Sequence, residues 1–94
     1  MKTGVELIAQ ERAEQIEKHG RTINEDLKYN PSGELIMAAE ALICDFGNGN
    51  WNKFPNRWDN DICRKMINKP LKERMIIAAA LLAAQIDLIQ YKEK

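Results

Sequence analysis

Between Pro70 and Tyr91 the sequence contains neither a glycine nor an internal proline, and its apolar residues recur at helical spacing. The segment predicts a helix over about 70–91, opened by Pro70 at the first helical position, where the missing N–H costs nothing. Leu71, Met75, Ala78, Leu82, Gln85 and Ile89 repeat at alternating steps of four and three, as in a coiled-coil seam. A second apolar line, Ile77, Leu81, Ala84 and Leu88, lies beside it. So wide an apolar surface is more than two short neighbours would cover, and a homodimer is the expected way to bury the rest. The uninterrupted apolar run, residues 75–84, is about half the roughly 20 residues a bilayer crossing needs, so a core helix is expected and no membrane partner.

The segments upstream supply the covering helices. Thr3 and Glu6 have the S/T-x-x-E spacing of a capping box, which predicts a helix over about 4–19 ended by Gly20. Residues 21–30 are polar and aperiodic and are expected to form a loop. Asn30 then Pro31 reads as a cap followed by a first-turn proline, opening a second helix on which Leu35, Ala39, Leu42 and Phe46 form one stripe before Gly47 stops it. Residues 47–60 are crowded with Gly, Asn and Pro and predict a long loop. A short third helix follows, with Ile62, Met66 and Ile67 facing inward, and ends near Asn68 because Pro70 disfavours helical geometry at Lys69. The expected fold is all-α: a compact bundle of about four helices, one domain over 1–94, with the long loop between the second and third.

Fourteen basic and fourteen acidic side chains cancel, which leaves no global field to hold nucleic acid or an anionic membrane. The first eleven residues lack the continuous apolar stretch of a signal peptide, so a cytoplasmic location is expected. Cys44 and Cys63 stand far apart in no CxxC pair, and buried free thiols are expected.

Several polar residues do not suit a plain bundle. On the first helix the face bearing Val5, Ile8, Ala9 and Ile16 also carries Arg12, Gln15 and His19 at 100° per residue. A buried guanidinium must meet an anion, which is either an internal acid or a ligand. Glu40 is the only charge in LIMAAEALIC, residues 35–44; it pairs with Arg12, reaches solvent, or serves as a metal ligand or general base. In the last helix Gln85 lies on the seam, and Asp87 shares a line with Glu73 and Ala80 that is either the solvent face or part of a site. His19, at a helix C-terminus, suits capping or phosphate contact. Glu11, Glu14 and Glu17 have the spacing to bring carboxylates to a divalent ion, or form a solvated surface. Trp51, Phe54 and Trp58 are interleaved with asparagines, which suits either a stacked base with amide hydrogen bonds or aromatics pinning the loop to the bundle.

The segments ELIAQERAEQIEKHG, SGELIMAAEAL and KERMIIAAALLAAQIDLI resemble small proteins of phages and bacterial mobile elements. These in turn resemble, more distantly, the all-α nucleotide pyrophosphatases typified by MazG and the dimeric dUTPases. The resemblance implies cleavage of a nucleoside triphosphate to monophosphate and pyrophosphate with Mg²⁺ held by an ExxE pair and an ExxD pair. Glu40 matches the second acid of the ExxE, with Met37 in place of the first; Glu73 is followed by Ile76 where the ExxD would end; Glu11 and Glu14 have the ExxE spacing on a different helix. On that reading Glu11, Glu40 and Asp87 hold the metal, and Glu40, Arg12 and His19 act on the phosphates. The other reading is a non-catalytic, dimeric helical module that binds a nucleotide-like ligand, or a host or phage protein, through the Asn- and Trp-rich loop, with Gln15, Gln85, Trp51 and Trp58 as the ligand-binding residues.

Overall fold

A computed structural model describes residues 1–93; Lys94, the last residue of the expected domain, lies outside them. The described residues contain α-helices, one 3-10 turn and no strand. The helices are α1 (Gly4–His19), α2 (Ile23–Tyr29), α3 (Glu34–Gly47), α4 (Asn60–Ile67) and α5 (Leu71–Lys92), with the 3-10 turn at Trp51–Lys53.

The capping box forms as its spacing predicts: Thr3 Oγ1 accepts from Glu6 N–H at 3.2 Å, and Glu6 Oε1 accepts from Thr3 N–H at 2.9 Å. Gly20, at φ 64°, closes α1 in the left-handed conformation and turns the chain back. The expected loop over 21–30 instead contains α2. Thr22 Oγ1 caps it by accepting from Glu25 N–H at 3.3 Å, the same T-x-x-E spacing that opens α1. Asn30 ends α2 rather than capping the next helix, and α3 begins at Glu34, after a turn through Gly33 at φ 96°.

α5 is the centre of the molecule, packed mainly on α3 and then on α1. The core joins Leu35, Ala38, Ala39, Ala41 and Leu42 of α3 to Ile77, Ala78, Leu81 and Ala84 of α5, with Phe54 and Cys63 closing one side. The two lines on α5 therefore exchange roles. Ile77, Leu81, Ala84 and Leu88 are buried, whereas Leu71, Met75, Leu82 and Ile89 of the expected seam are exposed and only Ala78 and Gln85 go inside. Pro70 sits at the cap position, one residue before the helix. α5 is long and apolar enough to cross a membrane by length and composition, and 39% of its apolar window is buried within this fold.

Three other faces differ from expectation. α1 turns Leu7, Ile8, Glu11, Arg12, Glu14 and Gln15 inward, leaving Val5, Ala9, Ile16 and His19 exposed. α3 breaks at Cys44, after which Asp45 (φ 55°) and Phe46 (φ 57°) are left-handed, so Phe46 leaves the helical stripe and stands fully bare. On α4, Ile62 is exposed and Cys63 takes the inward position, with Met66 and Ile67 partly buried beside it. Both cysteines are free thiols, but only Cys63 is buried as expected, and burial pushes its thiol pKa up; Cys44, where α3 breaks, is half-buried.

Arg74 holds the bend after α3. Its guanidinium donates to the carbonyls of Leu42 (2.8 Å) and Gly47 (2.6 Å), groups that the broken end of α3 leaves unpaired, and to that of Lys69 (2.9 Å) in the connection between α4 and α5. Gly49, at φ 78°, lies where a Cβ would come within 2.9 Å of the Ala41 carbonyl oxygen, so the return of the chain against α3 requires glycine.

Candidate functional site

A concave site lies between the end of α1, α2 and the segment entering α4. It is a cleft of ≈ 290 Å³ walled by Arg21, Asp26, Tyr29, Arg57 and Trp58, with His19 at its rim. Its geometry begins with α2. Asp26 and Asn30 are four residues apart and therefore share one helix face, which the short helix turns inward. Asn30 Nδ2 donates to Asp26 Oδ1 at 3.0 Å, and Asn30 Oδ1 accepts from Trp58 Nε1 at 2.9 Å. The amide thereby fixes the plane of the indole, and the Arg21 guanidinium stacks on that ring 4.4 Å from its centroid.

A second chain of contacts ties this wall to the core helix. Arg12 Nη1 donates to the Arg21 carbonyl at 2.9 Å, and Arg12 Nη2 pairs with Asp87 Oδ2 at 3.3 Å. Arg12 thus meets an internal acid, as a buried guanidinium requires, and that acid is Asp87 rather than Glu40.

Electrostatics single out Asp26. It is 1% exposed, and its Oδ2 has no hydrogen-bond partner among the described residues. Burial raises its carboxyl pKa above the ordinary value, opposed by the Asn30 hydrogen bond and by the positive fields of Arg21 and Arg12. Burial likewise lowers the Arg21 pKa, with Asp26 acting against it. The cleft therefore combines an aromatic wall and guanidinium groups, backed by a buried carboxylate whose second oxygen has no partner among the described residues.

The expected site residues are distributed over several places. His19 and Trp58 belong to this cleft, and Arg12 and Asp87 stand behind it. Gln15 is buried with Nε2 3.4 Å from Glu11 Oε2, and its Oε1, like Gln85 Oε1, has no partner among the described residues. Glu11 lies in a separate shallow groove with Glu14, Lys69 and Glu73; burial first, then the Glu14 charge, pushes its carboxyl pKa up. Glu40 is exposed and paired with Lys53 Nζ at 2.9 Å. Trp51 packs edge-on against Phe54 at 5.7 Å, away from Trp58, so the two tryptophans do not share a site. Phe54 and Trp58, by contrast, pin the long loop to the bundle.

The three carboxylates expected to share a metal, Glu11, Glu40 and Asp87, have separate partners. No group of three or more His, Cys, Asp or Glu side chains suited to a metal ion occurs among the described residues. Arg21, Asp26, Tyr29, Asn30 and Arg57 are functional candidates that the sequence reading passed over. The available signals were the Thr22 capping spacing and the Asp26/Asn30 pair at i, i+4. Comparison with protein-family models, curated proteins and solved structures returned no match.

Proposed function

We propose that this chain is a non-catalytic helical binding module that holds a small, flat, anionic ligand of nucleotide type in the cleft between α2 and the start of α4. The observation that carries the reading is the wall itself. Trp58, oriented through Asn30 and stacked on by Arg21, offers a ring and a guanidinium, while Asp26 keeps an unpartnered oxygen in a buried position. A ring would pack against the wall formed by Trp58 and Arg21, and an anionic group would meet Arg57 and Arg21. The cleft volume, ≈ 290 Å³, is at the lower end of small-molecule sites, which suits a mononucleotide or its base and sugar.

The MazG-like reading asks more of the chain. A Mg²⁺-dependent pyrophosphohydrolase needs carboxylates converging on a shared ion, and the separate partners of Glu11, Glu40 and Asp87 weigh against that. The two readings part in one experiment. The purified protein is titrated with nucleoside mono- and triphosphates, and with inorganic phosphate alone, while melting temperature and tryptophan fluorescence are followed. Pyrophosphate release with Mg²⁺ or Mn²⁺ is assayed in parallel.

The expected result is a nucleotide-dependent stabilisation of about 2.7 kcal/mol at a hundredfold excess over Kd, read as a rise in Tm, with no turnover. Trp58→Leu and Arg21→Ala should each abolish it. Absence of any shift across the panel rejects the binding reading. Pyrophosphate release abolished by Glu40→Gln would establish the hydrolase instead.

A further inference from the structure

α5 leaves one face bare that none of the contacts above uses. Leu71, Met75, Leu82, Ile86 and Ile89 are each between 39% and 56% exposed. With Ala79 they follow steps of four, four, three, four and three, which at 100° per residue makes one continuous stripe along the helix. At 1.5 Å per residue it is about 27 Å long, and no charged side chain interrupts it. Contiguous apolar surface of this kind marks an interaction site.

We infer that the occupant of this stripe is the same stripe of a second copy of the chain, laid antiparallel. The ends of the stripe decide the orientation. Lys72 flanks it at the N-terminal end and Glu93 continues its line at the C-terminal end, both exposed. In an antiparallel pair each Lys72 lies beside the partner's Glu93, so two opposite-charge contacts form. In a parallel pair Lys72 would face Lys72 and Glu93 would face Glu93. Charge reversal along the stripe therefore makes the face complementary to its own inverted copy. Small Ala79, next to Leu82 near the midpoint, lets the two helices approach closely. A single helix pair lies near the lower limit of stable interfaces, about 1,000 Å² of total buried area, so the association is concentration-dependent. The inference is independent of the cleft, because no wall residue of the cleft belongs to the stripe.

Sedimentation equilibrium of the full chain over a wide concentration range tests it. A species of twice 10.8 kDa is expected at high concentration. Ile86→Glu and, separately, Met75→Lys should leave far-ultraviolet circular dichroism unchanged while giving a monomer at every concentration. Lys72→Glu should weaken the dimer several-fold, and Lys72→Glu combined with Glu93→Lys should restore it. A wild-type chain that stays monomeric, or a dimer indifferent to Ile86→Glu and Met75→Lys, overturns the inference. Failure of the double charge exchange to restore association overturns the antiparallel arrangement. A monomer that floats with anionic lipid vesicles through the same residues assigns the stripe to a membrane surface and likewise overturns it.

Discussion

Trp58 Nε1 donates to Asn30 Oδ1 at 2.9 Å across a sequence separation of 28 residues, and the same amide holds Asp26 through its nitrogen. One side chain thus joins the long loop to α2. Asn30→Leu keeps the branched heavy-atom skeleton but removes both contacts, leaving the indole N–H and both Asp26 oxygens without these partners. The expected cost is about 2–4 kcal/mol, read as a lower urea midpoint. Trp58 fluorescence should also shift to the red in the native state, as the ring loses its fixed position. An unchanged midpoint would show that the contact contributes nothing to the loop's placement.

Asp26 makes stability depend on pH in a direction opposite to that of a paired surface carboxylate. Its folded pKa is raised, by burial first, so the native state binds the proton more tightly than the unfolded chain does. The contribution is favourable below the unfolded value and is lost as pH rises through the folded one. Asp26→Asn mimics the neutral form and should be more stable than wild type at pH 7, with the difference vanishing on acidification. Glu11, also raised by burial, adds in the same sense, so Glu11→Gln serves as the parallel control. Urea midpoints measured from pH 4 to pH 8 decide the matter. A variant that loses stability at pH 7 relative to pH 4, as wild type does, contradicts the assignment to Asp26.

Arg74 donates to three carbonyls and has no acidic partner among the described contacts. Arg74→Met preserves the aliphatic stem and strips the donors. A loss of about 2–4 kcal/mol is expected, equivalent to a fall in Tm of more than 8 °C for a chain of this size. Amide hydrogen exchange should speed up first around residues 42–50, where two of the three freed carbonyls lie. A uniform change across the molecule would point instead to a general packing defect.

The Arg12–Asp87 pair should prove asymmetric. The Asp87 side chain is 45% exposed, so Asp87→Asn is expected to cost only about 0.2–1 kcal/mol. The Arg12 side chain is 13% exposed and also serves the Arg21 carbonyl, so Arg12→Met should cost more, about 1–3 kcal/mol. A double-mutant cycle with a coupling energy above about 1 kcal/mol would show the pair to be stronger than its exposure allows.

The helical class, the bounds of α1 and α5 and the end of α4 were readable because each has a local cause: the Thr3/Glu6 box and Gly20, the unbroken run after Pro70, and the brake that Pro70 puts on the helix before it. α2 was not, because seven residues are too few for a periodicity to declare itself, and its buried positions are an aspartate and an asparagine rather than aliphatics. Asn30–Pro31 has the sequence of a helix opening, yet Asn30 is committed to Asp26 and Trp58, so tertiary contacts override the local signal. The choice between the two apolar lines on α5 depends on where α1 and α3 dock, which no local pattern records. For the candidate site, the oddity of Arg12, Gln15 and Gln85 was visible. The contacts that link Arg12 to Trp58 through Arg21, and Trp58 to Asp26 through Asn30, were not, since they run through a segment that looks like a plain polar linker. Glu40, conspicuous as the lone charge in an apolar helix, lies on the outward face, where Lys53 answers it.

The two left-handed residues at the end of α3, Asp45 and Phe46, have a bearing on how readily this chain can be improved. Side chains with a Cβ occupy that conformation at a penalty of order 1 kcal/mol or more each, and Phe46 buries none of its ring in return. Glycine or asparagine there would relax the backbone and remove a bare aromatic at one stroke. A bend that taxes a small protein in this way is a reserve of unclaimed robustness: a laboratory selection for heat resistance acting on this gene should find residue 46 early.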